Sequence, residues 1–238
     1  MKNFTIKEIM HMDKKSRQRG LLRLAAICII LVLGMTILVL TRNVALAEEQ
    51  TIQLSNPQTD RNPFLQLLMK RASARDFSSE PLPGNVLSNL LWAAAGISRP
   101  ESGRRTAPTA SNRQEMDVYA ATAKGLYLYE AKSNTLKLIL AKDIREMTGK
   151  QPYVKDAAVN LIYVADYAKM NAKSEEDRMI YAASATGFIS ENVYLYCASE
   201  GLATVVRAFI DRPALAEVMK LRPDQKIILA QSVGYPKK

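Results

Sequence analysis

An uncharged apolar run from Leu24 to Leu40 sets the start of the chain apart from everything that follows it. Ala45-Leu46-Ala47 follows the run, and the residues before it are rich in positive charge: Lys14, Lys15, Arg17, Arg19 and Arg23. A basic start, an apolar centre and an Ala-x-Ala end are the parts of a secretory signal peptide. The run also reaches the lower limit for a membrane span. We therefore predict cleavage after Ala47, with an uncleaved N-terminal anchor as the alternative.

Both alternatives predict that the rest of the chain lies outside the cytoplasm, in a periplasmic or other extracytoplasmic compartment, because the basic residues precede the apolar run. The segment 48–62 is polar and contains proline, which is typical of a tether. Residues 63–238 are long enough for one domain with a sizeable core. The predicted organisation is a leader or anchor over 1–47, a tether over 48–62 and a folded domain over 63–238.

Charge and residue usage exclude several classes of function. The formal net charge is +10, but the first 47 residues hold 8 basic and 2 acidic residues, leaving 25 and 21 for the body. Since these are interspersed, no nucleic-acid surface is predicted. The one histidine, His11, lies in the leader, and the body keeps one cysteine, Cys197. We expect no Ser-His-Asp or Cys-His catalysis and no metal site, and we interpret Cys197 as a buried apolar residue.

Hydrophobic spacing predicts three helices between residues 63 and 200. The first begins at Pro63, the second follows Pro83-Gly84 and stops at Gly96, and the third covers 175–200. The third is opened by Ser174 and is apolar nearly all round, so it needs cover from its own domain and from a partner subunit.

Alternating and continuous apolar runs predict strands in the middle and at the end of the body. They cover 117–121, 126–129, 136–140, 157–165, 204–209 and 227–233, with a short helix from Pro213 before the last. The run 157–165 is continuously apolar, which is typical of a central strand. Because strands and helices do not alternate strictly, we predict an α+β fold. The polar stretch 98–113 is either a disordered loop or a ligand-binding one.

Two polar clusters indicate an anionic ligand with a heterocycle. In an extended segment, Arg71, Ser73 and Arg75 project to one side, so two cations and a hydroxyl can converge on a phosphate. The turn Pro108 to Gln114 carries amide side chains that both donate and accept hydrogen bonds, as the edge of a heterocycle requires. The alternatives are cations that decorate a helix end and an ordinary turn.

Four segments in order give the body a resemblance to the FMN-dependent nitroreductase family. Arg71 to Phe77 resembles the family's R-x-S-x-R-x-F signature, and Pro108 to Gln114 resembles its P-S-x-x-N-x-Q loop. Gly201 to Thr204 is similar to its G-L-G-T turn, and Gly234 to Lys237 to its closing G-Y-P segment. Ala203 stands where the family often has glycine, and the Gly/Ala-Leu-Tyr-Pro motif of the related azoline-oxidase branch is absent.

The resemblance implies a fold with a central, mostly antiparallel sheet flanked by helices, and a long buried helix at a homodimer interface. It also implies FMN as cofactor, with the chemistry carried by FMN and no catalytic side chain. Carried over residue by residue, the cofactor-binding residues are Arg71, Ala72, Ser73, Arg75, Asn112, Gln114, Ala203, Thr204 and Lys237. Two of these residues have a purely structural alternative. Thr204 is then an ordinary strand residue, and Lys237 is part of a solvated tail.

The function implied by the resemblance is hydride transfer from NAD(P)H, or from another donor, to a flat small-molecule acceptor of nitroaromatic or quinone type, with ping-pong kinetics. Two alternatives stay open. One is a flavin-binding or interaction module of the same fold without NAD(P)H-driven turnover, and the other is a membrane-tethered structural domain.

Overall fold

The computed structural model describes residues 6–48, 52–172 and 174–237, which fall into one unit ending at Pro57 and another beginning at Gln58. The described residues of the first unit contain a single long helix, α1 (Ile6–Glu48). Within it, Gln18–Leu40 is long and apolar enough to cross a bilayer, and its side chains are exposed. The helix runs on through Ala45 to Ala47, where cleavage is predicted. A signal peptide and an anchor both have these properties, so both alternatives remain predictions.

Four helices belong to the second unit, and the sequence signals at their ends explain where they begin and stop. They are α2 (Pro63–Lys70), α3 (Gly84–Ala95), α4 (Glu175–Glu200) and α5 (Arg212–Met219). The Ser174 side chain accepts a hydrogen bond from the Asp177 amide at 3.0 Å and so caps α4. Gly201 ends α4 in the left-handed conformation, at φ 69°, which glycine adopts without strain.

The second unit is built on one six-stranded sheet. Its strands are β3 (Met116–Thr122), β4 (Gly125–Glu130), β5 (Thr135–Leu140), β6 (Val159–Asp166), β7 (Ala203–Arg207) and β8 (Gln225–Gly234). Their order is β5-β4-β3-β6-β8-β7, and every neighbouring pair is antiparallel. Two short strands, β1 (Ile97–Arg99) and β2 (Arg104–Arg105), form a separate hairpin at the start of the stretch 98–113. The predicted α+β fold with a mostly antiparallel sheet is confirmed.

Both faces of β6 are buried, which explains its continuous apolar run. Leu161 and Tyr163 belong to the core that contains residues of α3 and α4. Ile162 and Val164, which point the other way, belong to the core that contains Leu215 of α5. The strand therefore lies between two helical layers, with β3 and β8 on either side, as a central strand should.

One side of α4 is covered by its own domain and another is not. Ala182, Ile189 and Val193 are buried in the core. Ile180 and Phe188, which lie eight residues apart on the same helix face, are 54% and 49% exposed. Between them, a Cβ placed on Gly187 would meet no atom within 4 Å. The helix thus presents an open apolar stripe, and we keep the term α4 stripe for Ile180, Gly187 and Phe188.

Candidate flavin site and family membership

The segment 71–78 runs along the outer edge of β7 and beside the chain's C-terminal residues. The Ala74 amide donates to the Thr204 carbonyl at 2.9 Å, and the Lys237 amide donates to the Asp76 carbonyl at 3.2 Å. Phe77 forms a β-bridge with Pro236. Three of the four sequence segments that carry the resemblance therefore meet at one edge of the sheet, although they lie up to about 165 residues apart in the chain.

Positive charge is concentrated at this edge. Arg71 is half-buried, whereas Ser73, Arg75 and Lys237 are exposed. Within the described part of the chain, none of the three cations forms an ion pair with a carboxylate. Unpaired cations on a fixed extended segment are suited to bind a phosphate dianion. We call Arg71, Ser73, Arg75 and Lys237 the basic edge.

Tyr194 of α4 lies directly behind the basic edge. Its hydroxyl oxygen is 2.8 Å from Ser73 Oγ, and the Val206 amide donates to it at 2.9 Å. The Arg71 guanidinium lies over its ring, 5.3 Å from the centroid. Arg71 and Ser73 therefore share one neighbour, as the i, i+2 spacing predicts. The sequence analysis missed Tyr194, because it stands among apolar residues of a long helix and carries no motif.

Ala203 and Thr204 lie beneath the basic edge. Both side chains are buried, at 4% and 2% exposure. Thr204 Oγ1 donates to the Ser232 carbonyl at 2.9 Å and accepts a hydrogen bond from Gln231 Nε2 at 3.0 Å. The Thr204 hydroxyl is thus engaged inside the sheet, and the residue reaches the basic edge through its backbone carbonyl. Ala72 is exposed between Arg71 and Ser73.

A cavity of about 830 Å³ opens beside the basic edge. Its wall includes Phe77, Ser78, Asp156, Gly201, Tyr235 and Lys237. It lies between the end of α4 and the C-terminal segment and is lined by both apolar and polar groups.

Cys197, one turn before the end of α4, is buried, and burial raises the pKa of its thiol to about 12. A thiol in this state is neutral and unreactive, as the sequence indicates.

Asn112 and Gln114 lie in a separate loop, which the β1–β2 hairpin supports. Gln114 Oε1 accepts a hydrogen bond from Arg105 Nε at 3.1 Å, and its Nε2 donates to the Gly103 carbonyl at 2.9 Å. Both ends of this carboxamide therefore hold the loop in place. Asn112 is exposed, although its Oδ1 lies 3.3 Å from Gln114 Nε2. Ser111, Asn112 and Gln114 all have positive φ, near 50°, so the loop has a fixed and unusual shape.

A second cavity, of about 430 Å³, lies beside this loop and is strongly basic. Its lining includes Arg99, Arg104, Arg105, Thr109, Ser111 and Asn112. Burial lowers the pKa of Arg105.

Glu115, directly after the loop, is fully buried. Neither of its carboxylate oxygens has a hydrogen-bond partner in the described residues, and burial raises the pKa of this carboxyl.

Within one chain, the predicted cofactor-binding residues therefore form two groups. The basic edge, with Ala72, Ala203 and Thr204 around it, is one group. Asn112 and Gln114 are the other, and neither of the two cavities is lined by members of both. Among the described residues, no cluster of three or more His, Cys, Asp or Glu side chains is placed to hold a metal ion.

Comparison with known proteins decides the family. The model of the nitroreductase family matches residues 68–235, which is most of the second unit. The chain belongs to the nitroreductase family. This membership confirms the predicted fold and the predicted enzyme class, an FMN-dependent, nitroreductase-like oxidoreductase.

Relatives from bacteria and archaea support the same membership. A solved structure from Ralstonia eutropha JMP134, named as a nitroreductase, is 41% identical, with a TM-score of 0.71, covering 78% of this chain and 88% of that one. A Methanocaldococcus jannaschii protein, also named as a nitroreductase, is 28% identical over 183 residues, 72% of this chain and 91% of its own length. The NADPH:FMN oxidoreductase of Vibrio harveyi, complexed with NAD+, shares the fold at 19% identity and a TM-score of 0.55, covering 74% of this chain and 70% of that one.

Proposed function

We propose that this nitroreductase-family protein is exported or membrane-anchored, and that it transfers hydride from NAD(P)H, or from another donor, to a flat nitroaromatic or quinone acceptor. The observation that carries the proposal is the basic edge, where backbone hydrogen bonds bring together the segments that carry Arg71, Ser73, Arg75 and Lys237, although these segments come from both ends of the domain. The Vibrio harveyi neighbour, whose name includes NADPH and FMN, supports the same cofactor and donor.

The residues of the basic edge fit FMN. Its phosphate is dianionic, and charge-assisted hydrogen bonds from guanidinium and ammonium groups are among the stronger protein contacts. Arg75 and Lys237 are exposed and free of ion pairs within the described residues, so binding would displace only water. When bound, FMN supplies the reversible hydride chemistry, and the protein contributes position and electrostatics.

We further propose that the complete site needs two copies of the chain. Asn112 and Lys237 line different cavities in one protomer. The basic edge of one copy and the Asn112 loop of the other would therefore enclose one flavin. The open α4 stripe supports this arrangement, because Ile180 and Phe188 are large exposed apolar residues beside an uncrowded glycine. A second copy is the simplest cover for such a face.

The chain's own groups then have electrostatic and positioning roles. Arg71 and Arg75 would hold the phosphate end of FMN through charge-assisted hydrogen bonds. Asn112 offers an exposed carboxamide that both donates and accepts, as the ring edge requires. No histidine is present in the body to serve as acid or base. Donor and acceptor would occupy the same face in turn, which gives ping-pong kinetics.

A second candidate function is a flavin-binding module without NAD(P)H-driven turnover. The apolar helix Gln18–Leu40 favours it, because it is fit to place the second unit outside the cytoplasm, where nicotinamide donors are scarce. In that case the flavin would be reduced by another donor or would remain oxidised.

One absorbance experiment separates the two functions. The full chain is purified in detergent, loaded with FMN, freed of unbound flavin and mixed with NADH or NADPH without oxygen. Loss of the flavin band, followed by its return on adding menadione, supports the reductase. A yellow protein that both donors leave oxidised supports the binding module. A protein that retains no flavin would overturn both candidates.

A further inference from the structure

Tyr194 contacts two of the four side chains of the basic edge from a position that no sequence motif marks. Its hydroxyl lies 2.8 Å from Ser73 Oγ, and its ring lies under the Arg71 guanidinium. We infer that Tyr194 is a positioning residue of the flavin site, which directs the Ser73 hydroxyl proton toward the ligand and holds Arg71 in place. This inference rests on the proposed function, because it concerns the same site.

The direction of the Tyr194–Ser73 hydrogen bond follows from the other partner of Tyr194. The Val206 amide can only donate, so at 2.9 Å the phenol oxygen accepts from it. Tyr194 is only 6% exposed, and in the described residues Ser73 Oγ is the remaining partner for its proton. A buried hydroxyl donor that lacks an acceptor is costly. Tyr194 therefore donates to Ser73.

This direction leaves the proton of Ser73 free. Ser73 is exposed, and no backbone carbonyl or carboxylate among the described residues accepts from it. Because its oxygen already accepts the Tyr194 proton, its own O–H can point away from α4. A donor in that direction suits a phosphate or carbonyl oxygen and does not suit a cation. Tyr194 thus fixes the direction in which the Ser73 hydroxyl donates, as well as the position of the Ser73 side chain.

The ring of Tyr194 acts on Arg71 in a different way. A guanidinium over an aromatic face is stabilised by the ring without a carboxylate partner. Its positive charge is therefore not neutralised, and its planar donors keep a restricted orientation. Removing the hydroxyl alone, as in Tyr194→Phe, should leave this contact and remove the effect on Ser73.

Tyr196 offers a matched control on the same helix. Its hydroxyl donates to the Val86 carbonyl at 3.3 Å, so it joins α4 to α3. Tyr196→Phe removes an identical group two residues away and touches neither Ser73 nor Arg71.

The test is equilibrium binding of FMN to the full-length apoprotein in detergent, followed by quenching of flavin fluorescence. Tyr194→Phe should raise the FMN Kd about tenfold, because a hydrogen bond to a charged ligand is weakened. Ser73→Ala should have a similar effect, and the double variant should bind no worse than either single variant, since both changes remove the same contact. Tyr196→Phe should bind as the wild type does.

Several outcomes would overturn the inference. An unchanged Kd for Tyr194→Phe would do so, and so would single-variant effects that multiply in the double variant, because Tyr194 would then act independently of Ser73. If Tyr194→Phe does not fold, the Ser73 variants decide. We expect Ser73→Ala to bind FMN weakly and Ser73→Thr to bind it almost normally. Normal FMN binding by both variants would overturn the inference.

Failure of the proposed function gives a different result. If the wild type itself does not bind FMN, the proposed function and this inference are both wrong. If the wild type binds FMN and Arg71→Ala weakens binding while Tyr194→Phe does not, the proposed function stands and only the inference is lost.

Discussion

The guanidinium of Arg207 on β7 donates to the carboxamide oxygen of Asn160 on β6 at 2.8 Å, deep inside the domain. Its other partners are the Ser232 hydroxyl and the hydroxyl and carbonyl of Thr148. All of them are neutral, and Arg207 is only 5% exposed. Burial lowers its pKa to about 10, so it remains a cation at neutral pH. One buried charge thus joins three strands of the sheet, β6, β7 and β8, to the 3-10 turn Arg145–Thr148.

Replacing this cation should destabilise the domain strongly. Arg207→Met keeps an apolar stem but leaves the buried Thr148 carbonyl without its side-chain donor and removes one of the two donors to the Asn160 carboxamide oxygen. We expect this change to cost about 2–4 kcal/mol. Thermal unfolding followed by circular dichroism measures this loss. Lys132→Gln, which removes an exposed charge in the β4–β5 turn, is the control and should change little. Equal melting temperatures for both variants would show that the network does not stabilise the fold.

Glu115 should make stability depend on pH in the acidic range. Burial raises the pKa of its carboxyl in the folded state, so the folded protein holds this proton more tightly than the unfolded chain does. The protonated carboxyl stabilises the folded state at low pH. This stabilisation is lost as the pH rises above 4.5, the ordinary pKa of the group, and passes through the raised pKa of the folded state. Glu115→Gln stays neutral, so it should melt higher than the wild type by about 2–4 °C at pH 7.5.

The difference between Glu115→Gln and the wild type should shrink when both are measured near pH 4.5. Glu217→Gln on α5 is exposed and serves as the control, with no pH-dependent difference expected. A gain that is the same at both pH values would mean that packing, and not the carboxyl charge, is responsible.

The basic edge should distinguish FMN from riboflavin. Arg71→Gln and Arg75→Gln should each weaken FMN binding about tenfold or more, because each removes a charge-assisted contact to the phosphate. Riboflavin lacks the phosphate, so its weaker binding should change little in the same variants. Arg61→Gln, whose side chain is 86% exposed outside the site, is the control. Equal losses for both ligands, measured by fluorescence titration, would mean that these arginines do not contact the phosphate.

Gly187 gives a test of the predicted homodimer that spares the protomer. A Cβ added at this position meets no atom within 4 Å in one chain, and the position is exposed, so Gly187→Leu should fold normally and gain about 1 kcal/mol in helix propensity. In the dimer, the added side chain would separate the two α4 stripes. We expect a shift from dimer to monomer in analytical ultracentrifugation of the detergent-solubilised protein, with loss of bound flavin.

The matched control for Gly187→Leu is Glu217→Leu, which adds the same side chain at an exposed position of α5. This variant should stay dimeric and keep its flavin. If Gly187→Leu also remains a dimer with normal flavin content, the α4 stripe is not the interface, and the site must be completed in another way.

Local signals were enough to predict most of the fold. The predicted bounds of α4 coincide with the structure, because Ser174 caps its start and Gly201 supplies the left-handed end. The central place of β6 followed from its mostly apolar run, which Asn160 interrupts and which is buried on both faces. In contrast, β1 and β2 were not predicted, since their three and two residues are too few for a periodic signal. They lie inside a polar stretch that was interpreted as a loop.

The candidate site was less accessible from sequence, because its geometry depends on distant contacts. The contribution of Tyr194 arises from a hydrogen bond to Ser73 across 121 positions of the chain. The engagement of Gln114 by Arg105 and of Thr204 by Gln231 depends on side-chain directions that motifs do not encode. Motif matching therefore pointed to segments of which three meet at one edge of the sheet, but it could not say which side chains in them stay available to a ligand.

The hydrogen bonds that tie the Ala74 and Lys237 regions to β7 and Asp76 have a consequence for biogenesis. These hydrogen bonds join protein groups to one another, so folding can form them without contacts from a ligand. A polypeptide that crosses a membrane unfolded could therefore complete its fold on the far side and acquire its prosthetic group afterwards. Maturation of the exported protein proposed above would then need a supply of free flavin nucleotide in that compartment.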